Sequence, residues 1–300
     1  IYSAAASDVL RGQPPRPFTD FPASPFRVDD APGFDVCDWA TAPADDGPDK
    51  SELKDRLADQ VDAIHDLQRR LYAEAGQALL VVFQAMDAGG KDSTIRAVFS
   101  GVNPSGVQVT SFKAPTHRER DHDFLWRAVR ALPAVGHIGV FNRSHYEDVL
   151  IARVHPERTG LPQDTAFWDE RLRSIAAHER HLAFNRTVVL KFWLNLSQDE
   201  QKRRFLRRLQ RPDKHWKFDE ADVREREHWD DYMVAYQAAI RATHADWAPW
   251  YVIPADHKPT ARLIVARTIR QTLEAMDPDY PEVSAERAQR LQRLAGSLKL

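Results

Sequence analysis

Asp87-Ala88-Gly89-Gly90-Lys91-Asp92-Ser93-Thr94 is the stretch whose residue types and spacing can do chemistry. A glycine turn sets backbone N–H groups side by side, a following helix adds the positive end of its dipole, and a lysine reaches beyond both. Together they make a concave anion site. The preceding run Leu79-Leu80-Val81-Val82-Phe83 fits a strand buried on both faces, and Ile95, Ala97, Val98 and Phe99 recur at helical spacing. Strand, glycine turn, lysine and helix give the layout of a phosphate-binding P-loop. Against the pattern G-x-x-x-x-G-K-[ST], Ala85 stands at the first glycine and Asp92 at the hydroxyl that ordinarily meets Mg²⁺. Asp87 adds a carboxylate inside an anion loop, which makes sense if it holds Mg²⁺ or orients the attacking phosphate oxygen. The bland alternative is a glycine-rich strand–helix turn with no ligand.

Two further groups belong with this loop. Asn142-Arg143 directly follow the apolar run His137–Phe141, where a P-loop protein often carries a strand-end acid. Asn142 can orient a metal-bound water or a phosphate, and Arg143 can neutralise charge on a transferred group. Glu147 and Asp148 are either nearby carboxylates of the site or caps of the helix that starts there. The segment Lys202–Lys217 sets Lys202, Arg203, Arg204, Arg207, Arg208, Arg211, Lys214 and Lys217 against one acid, Asp213. On a helix these arginines stack at i, i+4 with no compensating acid in the segment. The expectation is a lid, about residues 200–230, that closes its basic stripe over phosphates; a solvated basic face is the alternative. His178 and His181 lack the H-E-x-x-H order of a zinc site, and Trp193, Trp229, Trp247 and Trp250 read as packing residues.

The elements that must position these groups alternate. A helix is expected over Ser51–Ala75, capped by Ser51 and stopped by Gly76. Strands are expected at Leu79–Phe83, Val107–Phe112, His137–Phe141, Thr187–Leu194 and Trp250–Ile253. Helices are expected at Glu119–Ala131, Phe167–Leu182, from Asp219 to about His244, and at Thr260–Met276, with a capping box at Ser197 and Glu200. Strands alternating with helices mean an α/β three-layer sandwich around a mainly parallel sheet. Residues 1–48, rich in Pro, Ala and Asp, read as an extended arm over the domain or a neighbouring subunit, which hints at a homo-oligomer. Residues 49–280 read as the P-loop domain and 281–300 as one more amphipathic helix.

Composition sets limits. The chain has 300 residues, 43% of them hydrophobic, with a net charge of −2, so anion binding must come from local clustering and nucleic-acid binding is not supported. One cysteine, Cys37, excludes an internal disulfide, and no apolar run reaches the ~18–20 residues of a membrane span. The expectation is a cytoplasmic protein with no membrane partner.

Several ordered motifs carry a resemblance. FQAMDAGGKD at 83–92, FKAPT at 112–116, DFLWR at 123–127, FNRSHYED at 141–148, KHWKF at 214–218 and WAPWYVIPAD at 247–256 are similar to the polyphosphate kinase 2 family. The resemblance implies a thymidylate-kinase-like P-loop fold, inorganic polyphosphate as phosphoryl donor, a nucleotide acceptor and a requirement for Mg²⁺. It implies Asp87 and Asn142 at the metal; Asn142 departs from the acid common there, which shifts the metal onto Asp87, and Ala85 departs from the usual loop glycine, which bears on the loop's conformation. It implies Gly89, Gly90, Lys91, Arg203, Arg204, Arg207, Arg208, Arg211, Lys214, Lys217 and Lys258 along the polyphosphate, and Lys113 and Arg127 near the acceptor. Glu147 after Tyr146 resembles the branch that phosphorylates AMP as well as ADP. Phosphoryl transfer needs positioning and charge neutralisation rather than a covalent nucleophile, so direct in-line transfer is expected. The competing readings are an ATP-dependent nucleotide or small-molecule kinase and a non-catalytic polyphosphate-binding P-loop protein.

Overall fold

The computed structural model describes residues 16–44, 47–217 and 220–298, apart from the side chains at 214, 216 and 217. Helix α1, Lys50–Glu74, leads into strand β1, Ala78–Ala85, whose every residue is buried. The glycine loop then turns into helix α2, Lys91–Val98. Strand β2, Val107–Ser111, and strand β3, Ile138–Asn142, follow. Helix α3, Thr165–Ala183, returns the chain to β4, Thr187–Asn195, and α4, Gln198–Leu209, rises from its end. Helix α5, Trp229–Thr243, strand β5, Trp250–Pro254, helix α6, Lys258–Ala275, and a final helix α7, Ala285–Ser297, complete the order.

The five strands are all parallel in the order β2-β3-β1-β4-β5, with β1 at the centre. Alternation along β1 builds two cores. Leu79, Val81 and Phe83 face Ile64, Ile95, Val265 and Ile269 of α1, α2 and α6. Leu80 and Val82 face Trp168, Ile175, Tyr236 and Ile240 of α3 and α5. Burial on both faces is why β1 reads as an unbroken apolar run. The result is the expected three-layer P-loop kinase arrangement, and the loop after β1 lies at the carboxyl edge beside the switch point of the sheet.

Local chemistry moved several boundaries. Asp49, not Ser51, caps α1, because its carboxylate accepts from the N–H groups of Ser51 and Glu52. The helix expected over Glu119–Ala131 is two short turns, His117–Arg120 and Trp126–Val129, since Asp123 accepts from Leu125 N–H and opens the chain between them. The helix expected from Asp219 is also broken, into Glu220–Arg224, a 3₁₀ turn Glu225–His228 and α5. Ser197 caps α4 at Glu200 N–H, but the Glu200 carboxylate turns to arginines instead of closing a capping box.

The arm, over 16–44, lies on this same chain. Val28 N–H donates to Trp250 O at 3.0 Å and Val252 N–H to Phe26 O at 2.7 Å, covering the open edge of β5. Farther on, Asp256 N–H donates to Thr41 O at 2.8 Å, and Asn195 Nδ2 donates to Trp39 O at 2.9 Å. Among the described residues, no helix is long and apolar enough to cross a membrane.

Candidate active site

A cavity of about 1000 Å³ opens at the carboxyl edge of the sheet. Its floor is the loop Asp87–Asp92. Gly90 caps α2 in a left-handed conformation (φ 103°) that L side chains rarely adopt. A Cβ on Gly89 would lie 2.6 Å from Ala85 Cβ and 2.8 Å from Met86 O. Ala85 therefore replaces the usual glycine without harm, because Gly89 yields the space.

Three side-chain donors hold the loop. Lys91 Nζ, buried, donates to Ala85 O at 2.8 Å. Gln201 Nε2 donates to Asp87 O at 2.9 Å, and Arg204 Nη1 donates to Ala88 O at 2.9 Å and Gly89 O at 3.1 Å. The two ends of a peptide unit point opposite ways, so with the Asp87 and Gly89 carbonyls held by Gln201 and Arg204, the Ala88 and Gly90 N–H groups face away from those side chains. That converts a turn into an anion cradle. Burial beside the Arg143 guanidinium pushes the Lys91 ammonium down to about 8, against the pull of Asp87, Glu147 and Asp92.

One wall carries carboxylates and their partners. Asp87 Oδ1 accepts from Arg143 Nη2 at 2.9 Å, and Arg143 Nη1 lies 3.4 Å from Glu147 Oε2. Arg143 has a left-handed backbone (φ 61°) and donates its N–H to Phe83 O at 3.1 Å, so the bend after β3 aims it back at the loop. Glu147 does not line the cavity. It stands behind Arg143, and with the Gln84 amide turned to face it, Gln84 nitrogen is 2.9 Å from Glu147 Oε1. Burial raises the Glu147 carboxyl, with Arg143 and Lys91 opposing. Neither Glu147 nor Asp148 caps a helix: Asp148 accepts from Arg127 Nη2 at 3.1 Å. Arg127 is buried and turned inward, its Nη1 donating to Lys113 O at 2.8 Å, so it fixes the Lys113 loop from beneath while Lys113 lines the cavity.

Sequence reasoning passed over one ligand candidate. Asp92 lines the cavity, and its Oδ1 accepts from Asn142 Nδ2 at 2.6 Å. The signal was present as an acid at the hydroxyl position of the P-loop pattern. Asp87, Asp92 and the Asn142 oxygen give one wall two carboxylates and an amide, an oxygen set suited to Mg²⁺ bound partly by substrate phosphates. Among the described residues no group of three His, Cys, Asp or Glu could hold a metal by itself.

The opposite wall is basic, but not as the sequence suggested. The Lys202–Lys217 charge is compensated in part, because Glu200 lies just outside that segment. Its carboxylate meets Arg203 Nε at 2.8 Å, Arg204 Nε at 2.9 Å and Arg207 Nη2 at 2.7 Å. Arg208 pairs with Asp222 at 3.8 Å and Arg211 with Asp213 at 3.0 Å. Arg204 is 3% exposed and braces the loop, whereas Arg203 is 63% exposed and does not line the cavity. Arg204, Arg207, Arg208, Arg211 and Lys258 do line it. The side chains of Lys214 and Lys217 lie outside the described residues. Burial next to Arg204 and Arg207 pushes Lys258 down to about 8.

The family model Polyphosphate kinase 2 matches residues 47–281. The chain is 46% identical to an ADP-polyphosphate phosphotransferase of Rhodopseudomonas palustris, over 91% of this chain and 97% of that one. It is 49% identical to an AMP/ADP-polyphosphate phosphotransferase of Meiothermus ruber, over 73% of this chain and 80% of that one. The solved polyphosphate kinase 2 of Arthrobacter aurescens superposes with a TM-score of 0.83 at 40% identity, over 92% of this chain and 98% of that one.

Proposed function

The chain belongs to the polyphosphate kinase 2 family, and on that premise we propose that it transfers the terminal phosphoryl group of inorganic polyphosphate to AMP and ADP. The observation that carries the reading is one cavity with carboxylates on one wall and arginines and lysine on the other, floored by the loop whose Asp87 and Gly89 carbonyls are held by Gln201 and Arg204. An acceptor phosphate oxygen forms a bond to the terminal phosphorus while the bridging P–O bond breaks. AMP becomes ADP, or ADP becomes ATP, and the chain leaves shorter by one phosphate.

The loop N–H groups and Lys91 bind the phosphoryl group in flight, and Arg143 neutralises its growing charge. Glu147 holds Arg143 from behind, so its aim persists when Asp87 turns to other partners. Asp87 and Asp92, with the Asn142 oxygen, are the groups that would hold Mg²⁺, which would supply positive charge to offset that of the phosphates. Lys113 takes the acceptor side, and Arg207, Arg208, Arg211 and Lys258 take the donor chain. The lid read from the sequence at about 200–230 includes α4, whose Arg207 and Arg208 line the cavity. No side chain is required as a covalent nucleophile, so transfer is direct and in line.

The two named relatives differ in acceptor, ADP in one and AMP or ADP in the other. The resemblance carried by Glu147 after Tyr146 supports the broader use here, although Glu147 itself lies behind Arg143 and does not line the cavity. The test is the ratio of kcat/KM for AMP and ADP with polyphosphate as donor. Comparable values support the reading, and ADP as sole acceptor removes AMP from it.

A further inference from the structure

The geometry points to Gln201 as a positioning residue that transmits the seating of Arg226 to Asp87. Gln201 is buried on α4, 1% exposed, and bridges two partners. Its Oε1 accepts from Arg226 Nη1 at 2.7 Å, and its Nε2 donates to Asp87 O at 2.9 Å. Arg226 Nη1 also donates to Gln198 O at 3.0 Å, at the first turn of α4. The residue before it is anchored: Glu225 Oε2 accepts from Tyr232 Oη at 3.0 Å and lies 2.6 Å from His155 Nε2, and Glu225 Oε1 meets Arg158 Nη2 at 2.9 Å.

The logic lies in the two unlike ends of an amide. Arginine has only donors, so Gln201 must present its oxygen to Arg226, and its NH₂ must then face the Asp87 carbonyl. Without Arg226 that preference is lost, and a turned amide would set two oxygens against each other. The Asp87 carbonyl fixes the peptide unit whose N–H end is Ala88, and hence the backbone from which the Asp87 carboxylate reaches Arg143. The turn at Glu225–His228, which joins the lid segment to α5, thus sets the loop carboxylate through one buried side chain. This role rests on the proposed function, because it matters only if Asp87 takes part in transfer.

Four variants test it: Gln201→Met, Arg226→Met, Arg226→Lys and the double Gln201→Met/Arg226→Met. Wild type is first assayed with polyphosphate and with ATP, and the variants are measured with the donor it uses, so a wrong donor does not decide the relay. The expected result is a fall in kcat of about ten- to a hundredfold for each Met variant, with nucleotide and polyphosphate KM within about twofold. Arg226→Lys should recover most of the kcat, and the double variant should be no worse than Gln201→Met, since Arg226 acts through Gln201. Losses that multiply, or that appear in KM alone, overturn the relay. A measurement without turnover stands beside it: amide exchange over 86–91 should rise equally in the two single Met variants. Unchanged exchange in Arg226→Met overturns the inference whatever the enzyme does.

Discussion

Asn142 Nδ2 donates to Asp92 Oδ1 at 2.6 Å, and this contact joins the two positions at which this P-loop has exchanged its chemistry. The common arrangement sets a hydroxyl on the loop and an acid at the strand end. Here the acid is on the loop and the amide at the strand end, so the oxygen set is kept while its attachment is reversed.

The exchange predicts a reciprocal rescue. Asp92→Thr and Asn142→Asp should each lower kcat, by about ten- to a hundredfold, because one leaves a single carboxylate and the other crowds three. The double variant should recover at least part of that loss. Steady-state kinetics at saturating Mg²⁺ reads it, and a double variant worse than both singles rules out the exchange.

Loop packing predicts an asymmetry between two small residues. Gly89→Ala places a Cβ 2.8 Å from the Met86 carbonyl, which the backbone must move to relieve, so transfer should drop by more than about a hundredfold with the fold retained. Ala85→Gly, which restores the common pattern, should leave kcat within about twofold. Comparable losses in both variants would contradict this account of the loop.

The two lysines predict an alkaline limb. Lys91 and Lys258 are each pushed down to about 8, and an ammonium is charged only below its pKa. Polyphosphate therefore meets both cations below about pH 8 and loses them as pH rises through it, so kcat/KM for polyphosphate should fall above about pH 8. Bound phosphate holds those protons on, so kcat should bend at higher pH. Lys258→Arg should make the limb of kcat/KM shallower, leaving the step set by Lys91. A flat kcat/KM profile to about pH 9.5 would be incompatible with these lysines binding the donor as cations.

The lid arginines predict a split between substrates. Arg207→Ala/Arg208→Ala should raise polyphosphate KM by about tenfold or more, most for long chains, while nucleotide KM stays within about twofold. Equal effects on both substrates would remove the donor role. Arg204→Ala differs in kind: it strips the donors from the Ala88 and Gly89 carbonyls and should lower kcat with either substrate saturating.

Much of this was legible in the chain. Burial on both faces made β1 readable as an apolar run, and the loop pattern located Asp87, Lys91 and the turn. What pattern could not give was the direction of long side chains. Arg204 and Arg207 sit on one helical row, yet one is buried beneath the loop and the other exposed, because α4 packs a single face against the loop. The neutralising Glu200 stood outside the segment whose charge was weighed. Gln201 and Arg226 carried no motif, since a relay between sequence-distant segments leaves no spacing to read. The breaks at Asp123 and at Glu225 depend on side-chain caps and anchors that periodicity does not encode.

The central claim is the donor. Purified protein, Mg²⁺, polyphosphate and either AMP or ADP, with no ATP added, should yield ADP and ATP from AMP and ATP from ADP, with loss of terminal phosphates from the polymer. No product from either acceptor, together with transfer when ATP is supplied as donor, would contradict it and make the protein a nucleotide kinase of the common kind.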